Sequence, residues 1–159
     1  MKAILVFLIL LVVAESILSA PNEITALSEA GTYSMIFEGV TYTLYSSPLT
    51  FAQAEASCTR TGYNGHLVSI HSHSLNLFLL HMVRHFNVDA HQMWIGGKRN
   101  SFRRKFYWTD GSRWNYWYWG SGSPSGPGYH QNCVVMSTTN PGYWHDIFCS
   151  YKRPYICEH

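Results

Sequence analysis

Residues 93–111 read Met93-Trp94-Ile95-Gly96-Gly97-Lys98-Arg99-Asn100-Ser101-Phe102-Arg103-Arg104-Lys105-Phe106-Tyr107-Trp108-Thr109-Asp110-Gly111. Met93-Trp94-Ile95-Gly96-Gly97 reads as a buried strand ending at a turn. A basic loop, 98–105, follows. Phe106-Tyr107-Trp108 and the Asp110-Gly111 turn then supply a hairpin signal.

Upstream, aromatics and β-branched residues alternate over Phe37–Tyr45 around Gly39, as in a strand pair or a bulged strand. Thr50 and Gln53 form a capping box that opens a helix, with Leu49 and Ala54 placed as its staple. Phe51, Ala54 and Cys58 share one face of that helix, and Gly62 with Asn64-Gly65 ends it. His66–Ile70 reads as a strand. A second helix starts near Ser72 or Ser74, and its apolar stripe is Leu75, Phe78, Leu79, Met82, Val83 and Phe86. Downstream, 114–129 is a long stretch of Gly, Pro and aromatics. Short strands follow at Cys133–Met136, Tyr143–Cys149 and Tyr155–Cys157. Two early helices, late strands and one irregular loop give an α+β class rather than βαβ repeats.

The chain opens with Met1-Lys2, an apolar run from Ala3 to Ala14, then Glu15-Ser16. This is the pattern of a secretory signal peptide within residues 1–20, too short to span a bilayer. Residues 21–36 form a short N-terminal segment and 37–159 one domain. A secreted, extracellular protein with no membrane span is expected. Its four cysteines, Cys58, Cys133, Cys149 and Cys157, imply two disulfides in an oxidising compartment, with three pairings open. Net charge is +2, but Lys98, Arg99, Arg103, Arg104, Lys105 and Arg113 cluster against Asp110 alone. These six form a candidate patch for anionic ligands. No Asp or Glu lies between Asp110 and Asp146, a stretch that also holds Trp114, Trp117, Trp119 and Trp144.

The ordered pieces Gly65-His66-Leu67-Val68-Ser69-Ile70, Trp94-Ile95-Gly96-Gly97, Phe106–Gly111, Trp114–Trp119, Cys133-Val134, Tyr143-Trp144-His145-Asp146, Cys149 and Tyr155-Ile156-Cys157-Glu158 resemble the C-type lectin-like domain in its short form. The resemblance covers roughly residues 37–158. It implies two helices with short antiparallel strands, a long loop region, and disulfides Cys58–Cys157 and Cys133–Cys149. The first closes a loop of about a hundred residues, worth roughly 4–5 kcal/mol on a chain-entropy model. Trp94, Trp108 and Trp144, beside strand signals, are expected in the core. Of Trp117, Tyr118 and Trp119, at least one is expected to be exposed.

Calcium-dependent sugar-binding members of that family hold the ion with Glu/Gln-Pro-Asn/Asp in the long loop, a Glu before the third core cysteine and Asn-Asp after Trp. The ion then ligates two sugar hydroxyls. Ser123 and Ser125 around Pro124, Gln131, His145 and Asp146 stand at those places here, and only Asp146 keeps the family residue. Pro124 is placed as the family's cis proline. Calcium prefers six to eight hard oxygens, several from carboxylates. It is therefore disfavoured, with Asp146 the sole retained ligand, and no cofactor is expected. Zinc on His145, Asp146 and His130 has little support, and so has a histidine pair at His81 and His85. A pH switch among His66, His71, His73, His130 and His145 has no visible partners.

Catalysis is not expected. Ser123 or Ser125 with His145 and Asp146 can be written as a triad, but adjacent strand residues face opposite ways. The expected function is a lectin-like carbohydrate binder with weak or absent calcium dependence and a bias toward anionic glycans. Its ligand residues are Trp117, Trp119, Ser123, Ser125, Tyr129, Gln131, Asn132, His145 and Asp146. Expected partners are a glycan, a cell-surface glycoprotein or a polyanionic polysaccharide, and not nucleic acid; oligomerisation is open. The alternative is a protein-binding module of the same fold, since a Trp/Tyr/Arg-rich patch is also hot-spot chemistry.

Overall fold

The computed structural model describes residues 31–102, 104–126 and 130–159. The signal-peptide reading, most of the segment 21–36, Arg103 and Tyr129 lie outside those residues. β1 (Thr32–Phe37) and β2 (Val40–Leu49) form an antiparallel hairpin with Phe37 opposite Val40. Glu38 and Gly39, at φ 50° and 82°, make the two-residue turn, whose left-handed backbone matches strand twist. Pairing starts at Thr32, so residues 32–36 of the short segment belong to the sheet.

α1 (Phe51–Thr61) begins on the expected box: Gln53 N donates to Thr50 Oγ1 at 3.4 Å and Thr50 N to Gln53 Oε1 at 3.1 Å. α2 (His73–His85) is capped by Ser72 Oγ, which accepts from Leu75 N at 3.2 Å. The other strands are β3 (His66–Leu67), β4 (Gln92–Arg99), β5 (Phe106–Trp108), β6 (Cys133–Ser137), β7 (Trp144–Ile147) and β8 (Arg153–Glu158). They form one sheet in the order β1-β2-β8-β4-β6-β7, with β3 on β8 and β5 on β4.

The central strands are buried on both faces, which is why they read as apolar runs without alternation. Met93, Ile95, Val134, Met136 and Ile156 pack with Leu75, Leu79, Met82 and Val83 of α2. Trp94, Cys133, Val135, Tyr155 and Cys157 pack with Phe51, Ala54 and Cys58 of α1. Each strand thus contributes alternate residues to two cores. The α2 stripe is wider than expected, because Leu80 and Asn76 are also buried. Phe78 and Phe86 are half-buried and stack on Phe37 and Tyr33 of the first hairpin, at 4.7 and 4.6 Å between ring centres.

The pairings are Cys58–Cys157, tying α1 to β8, and Cys133–Cys149, bracing the start of β6. Trp94, Trp108 and Trp144 are fully buried. Trp94 Nε1 donates to Leu49 O at 2.9 Å, and Trp144 Nε1 to Asn76 Oδ1 at 2.7 Å. Asn76 in turn donates to Gly142 O at 3.2 Å, so one buried amide joins α2 to the turn before β7.

Asn76→Ala leaves both the indole N–H and the Gly142 carbonyl unpaired in the core. A destabilisation of about 2–4 kcal/mol is expected from urea unfolding. An unchanged midpoint would show that Asn76 has no such role.

A candidate cleft between the basic hairpin and the long loop

The site starts from an irregularity in β4. Gly96 N donates to Val68 O at 2.8 Å, and a Cβ there would lie 2.4 Å from Leu67 O. Only glycine allows that approach. The register against β6 shifts between Trp94 and Lys98, and the strand then continues through Arg99. The reading of Gly96-Gly97 as a strand end is corrected: the glycines are a kink inside β4, and the loop joining β4 to β5 begins after Arg99.

This moves two residues out of the expected basic patch. Strand alternation sends Lys98 over the Phe51 ring, on the α1 side. It sends Arg99 the other way, where it is 6 % exposed and its guanidinium lies 4.6 Å from the centre of the Phe106 ring. Arg99 Nη2 donates to Asp146 Oδ2 at 2.8 Å and to Ser125 O at 2.7 Å, and Nη1 reaches Gly126 O at 3.4 Å. Asp146, 3 % exposed, also accepts from Ser125 N at 2.8 and 2.9 Å and from Ser125 Oγ. Asp146 is therefore a buried anchor of the loop and not a surface ligand. Ser125 is consumed in the same network.

The loop is further pinned by aromatics. Trp114 lies 4.4 Å from Trp108 and 5.6 Å from Phe106. Trp119 lies 4.9 Å from Phe106 and bridges to Trp144 through the backbone. Trp119, expected as a ligand platform, is half-buried packing. Trp117, 60 % exposed, is the residue of that group that faces solvent. The Ser123–Pro124 peptide is cis, as the resemblance implied.

These elements enclose an open cleft of about 570 Å³. Arg104, Lys105, Phe106, Trp114 and Pro124–Gly126 line it, with Arg99 beneath. Arg104 and Lys105 are exposed, as is Arg113 outside the lining set. The turn presenting them is closed by Asn100 N to Lys105 O at 2.9 Å and Arg104 N to Asn100 O at 2.7 Å. Gln131 and Asn132 are half-buried at the entry to β6, and the Asn132 carbonyl accepts from Arg99 N at 2.7 Å.

His145 Nδ1 meets Ser123 Oγ at 3.0 Å, while Asp146 points to the other side of β7. Among the described residues no carboxylate is hydrogen-bonded to this Ser–His contact. His66 bonds Glu55, His71 bonds Asn115 and His73 bonds Tyr116, so these histidines serve separate local contacts. His81 and His85 stack at 5.9 Å on the exposed side of α2. Among the described residues no three metal-ligating side chains converge. Of the positions assigned to calcium, Asp146 alone is a carboxylate, and a guanidinium lies 2.8 Å from it, where a second cation would be repelled.

Residues 47–159 match the family described as "Lectin C-type domain". The chain belongs to the C-type lectin family. Human bone marrow proteoglycan is 41 % identical over 120 residues, covering 74 % of this chain and 51 % of the relative. The chain spans about half the length of such relatives. Among solved structures, a calcium-independent type II antifreeze protein superposes with a TM-score of 0.69 at 26 % identity, covering 84 % of this chain and 94 % of that one. The carbohydrate-recognition domain of cow CD23, solved with a GlcNAc2Man3 oligosaccharide, gives 0.67 at 26 % identity, covering 84 % of this chain and 96 % of that one. This C-type lectin fold is thus related to sugar-binding and to other members.

A second cleft, about 490 Å³, lies near the C-terminus of the domain and includes Ser69, Asp110, Glu158 and His159. Glu158 Oε1 accepts from Ser69 N at 3.1 Å and Ser69 Oγ at 2.9 Å. Burial, aided by the charge of Asp110, pushes the Glu158 carboxyl from 4.5 up to about 7. Burial also acts to raise Asp110, but hydrogen bonds from Ser112 and Ser69 outweigh it and hold that carboxyl below its usual value.

A folded-state value raised above the unfolded one means that Glu158 contributes stability fully below about pH 4.5. That contribution is lost as pH rises through about 7. Glu158→Gln keeps the acceptor for Ser69 and removes the titration. Its Tm is expected to exceed that of the wild type at pH 8 and to approach it at pH 4.5. Parallel Tm–pH curves for the two proteins would contradict this.

Proposed function

We propose that this protein is a secreted binder of anionic saccharides that needs no calcium, and that the cleft between residues 104–106 and 124–126 is its site. One observation carries this reading. The cleft displays Arg104 and Lys105 beside Phe106 and Trp114, while Asp146, its nearest carboxylate, is already neutralised by Arg99. The site therefore offers unbalanced positive charge and aromatic surface in a concavity of saccharide size.

Sulfated or uronic-acid sugars match that chemistry. The anionic group takes the two cations, and the apolar face of a ring lies on the aromatic wall. Exposed Trp117 offers further stacking surface for a longer chain. The apolar start of the chain supports secretion, and no described helix is long and apolar enough to cross a membrane.

Retention on immobilised heparin is expected to be unchanged by EDTA and to fall steeply with added salt. The double variant Arg104→Ala/Lys105→Ala is expected to bind heparin oligosaccharides at least about tenfold more weakly, a loss of roughly 1.4 kcal/mol. Retention that ignores salt, or a double variant that binds like the wild type, sinks the proposal. Absence of any glycan binding favours a protein partner instead.

A further inference from the structure

We propose that Arg99 is a resident cation standing in place of a bound metal, and that the cleft consequently selects ligands by negative charge and not by the configuration of their hydroxyls. The second half rests on the anionic-saccharide reading above; the first half does not.

Three observations carry the first half. The kink at Gly96 prolongs β4 so that Arg99 enters the interior, where its backbone N–H bonds Asn132 O at 2.7 Å. Its guanidinium then draws together Ser125 O, Gly126 O and Asp146 Oδ2, groups that belong to the long loop and to β7. Asp146 is 3 % exposed, with Oδ2 shared by Arg99 Nη2, Ser125 N and Ser125 Oγ and Oδ1 accepting from Ser125 N. A single positive charge bridging loop carbonyls and the carboxylate of β7 does here what a bound hard cation could do with the same oxygens. Here the bridging charge is covalently part of the chain and cannot be removed by chelation.

The consequence for recognition follows from coordination chemistry. A hard metal keeps open positions, and two neighbouring hydroxyl oxygens can fill them only in certain configurations. A guanidinium has planar donors in fixed directions. Three of the five N–H donors of Arg99 point at Asp146, Ser125 and Gly126, Nε is buried without a partner, and one face is covered by Phe106. It offers no open positions at which a hydroxyl pair could be chelated. The groups left facing the cleft are Arg104 and Lys105, which respond to the position and number of anionic substituents.

The test has two independent arms. In the first, melting of the wild-type protein is expected to be the same in EDTA and in millimolar calcium. Arg99→Met and Asp146→Asn should each lower Tm, Arg99→Lys should lower it less than Arg99→Met, and the double variant Arg99→Met/Asp146→Asn should melt above Arg99→Met. A purely steric role for Arg99 would give no such recovery. Stabilisation of the wild type by calcium, or additive losses in the double variant, overturns the resident-cation assignment.

In the second arm, 6-sulfated glucose and 6-sulfated galactose, epimers at one hydroxyl, are presented at equal density. Their affinities are expected to agree within about threefold, with no binding of neutral mannose or galactose. A difference of about tenfold or more between the epimers overturns the charge-reading half even if anionic saccharides bind. If no anionic saccharide binds, the functional reading and the charge-reading half fall together, and the melting arm still decides the role of Arg99.

Discussion

A guanidinium and a carboxylate buried against each other, 2.8 Å apart, hold the long loop to the sheet. Arg99 comes from β4 and Asp146 from β7, and both bond the short segment Ser125–Gly126 that lies between. Either charge alone at that depth would be strongly unfavourable. Removing one partner of a buried pair typically costs about 3–5 kcal/mol, because the other is left uncompensated. The position of the cleft, the course of the loop and the sign of the exposed charge all follow from this pair.

The pair holds because the sheet beneath it is rigid. β4, β6 and β8 are covered on both faces, by α1 on one side and α2 on the other. Cys58–Cys157 and Cys133–Cys149 anchor this layer at two points, one on β8 and one on β6. The aromatic set Trp108, Trp114, Trp119 and Trp144 extends the core into the base of the loop. A long loop region without regular structure is where conformational multiplicity ordinarily lies, and residues 109–126 carry no ladder strand or helix. This one is fastened by ring contacts at its root and by an ion pair at its far end.

The chemistry of the cleft is subtractive as much as additive. Ser123, Ser125, His145 and Asp146 look in sequence like a depleted metal site or an incomplete triad. In the fold they are spent on one another and on Arg99. What faces solvent is a different set, Arg104, Lys105 and the edges of Phe106 and Trp114. The site is therefore defined by the groups that loop closure leaves over.

The sequence by itself determined the α+β class, both helix starts, the order of the strands and the buried tryptophans. These depend on local capping chemistry and on apolar patterns that are complete within a few residues, as with Thr50-Gln53 and Trp94-Ile95. The ordered motif set, through its family resemblance, also indicated the two disulfides and the proline at 124. Only the tertiary structure decided which charged residues are available. Arg99 lies among five other cations and reads as part of a solvated loop. Whether it faces water depends on two extra residues of strand beyond Gly97, which pair with Tyr107 and Phe106 of β5 and, through Lys98, with Cys133 of β6. Asn76 was hidden for the same reason, since its partners Trp144 and Gly142 are brought to it by the fold. Local pattern carries backbone preference; the pairing of buried polar groups is a long-range property, and it assigned the residues of this cleft.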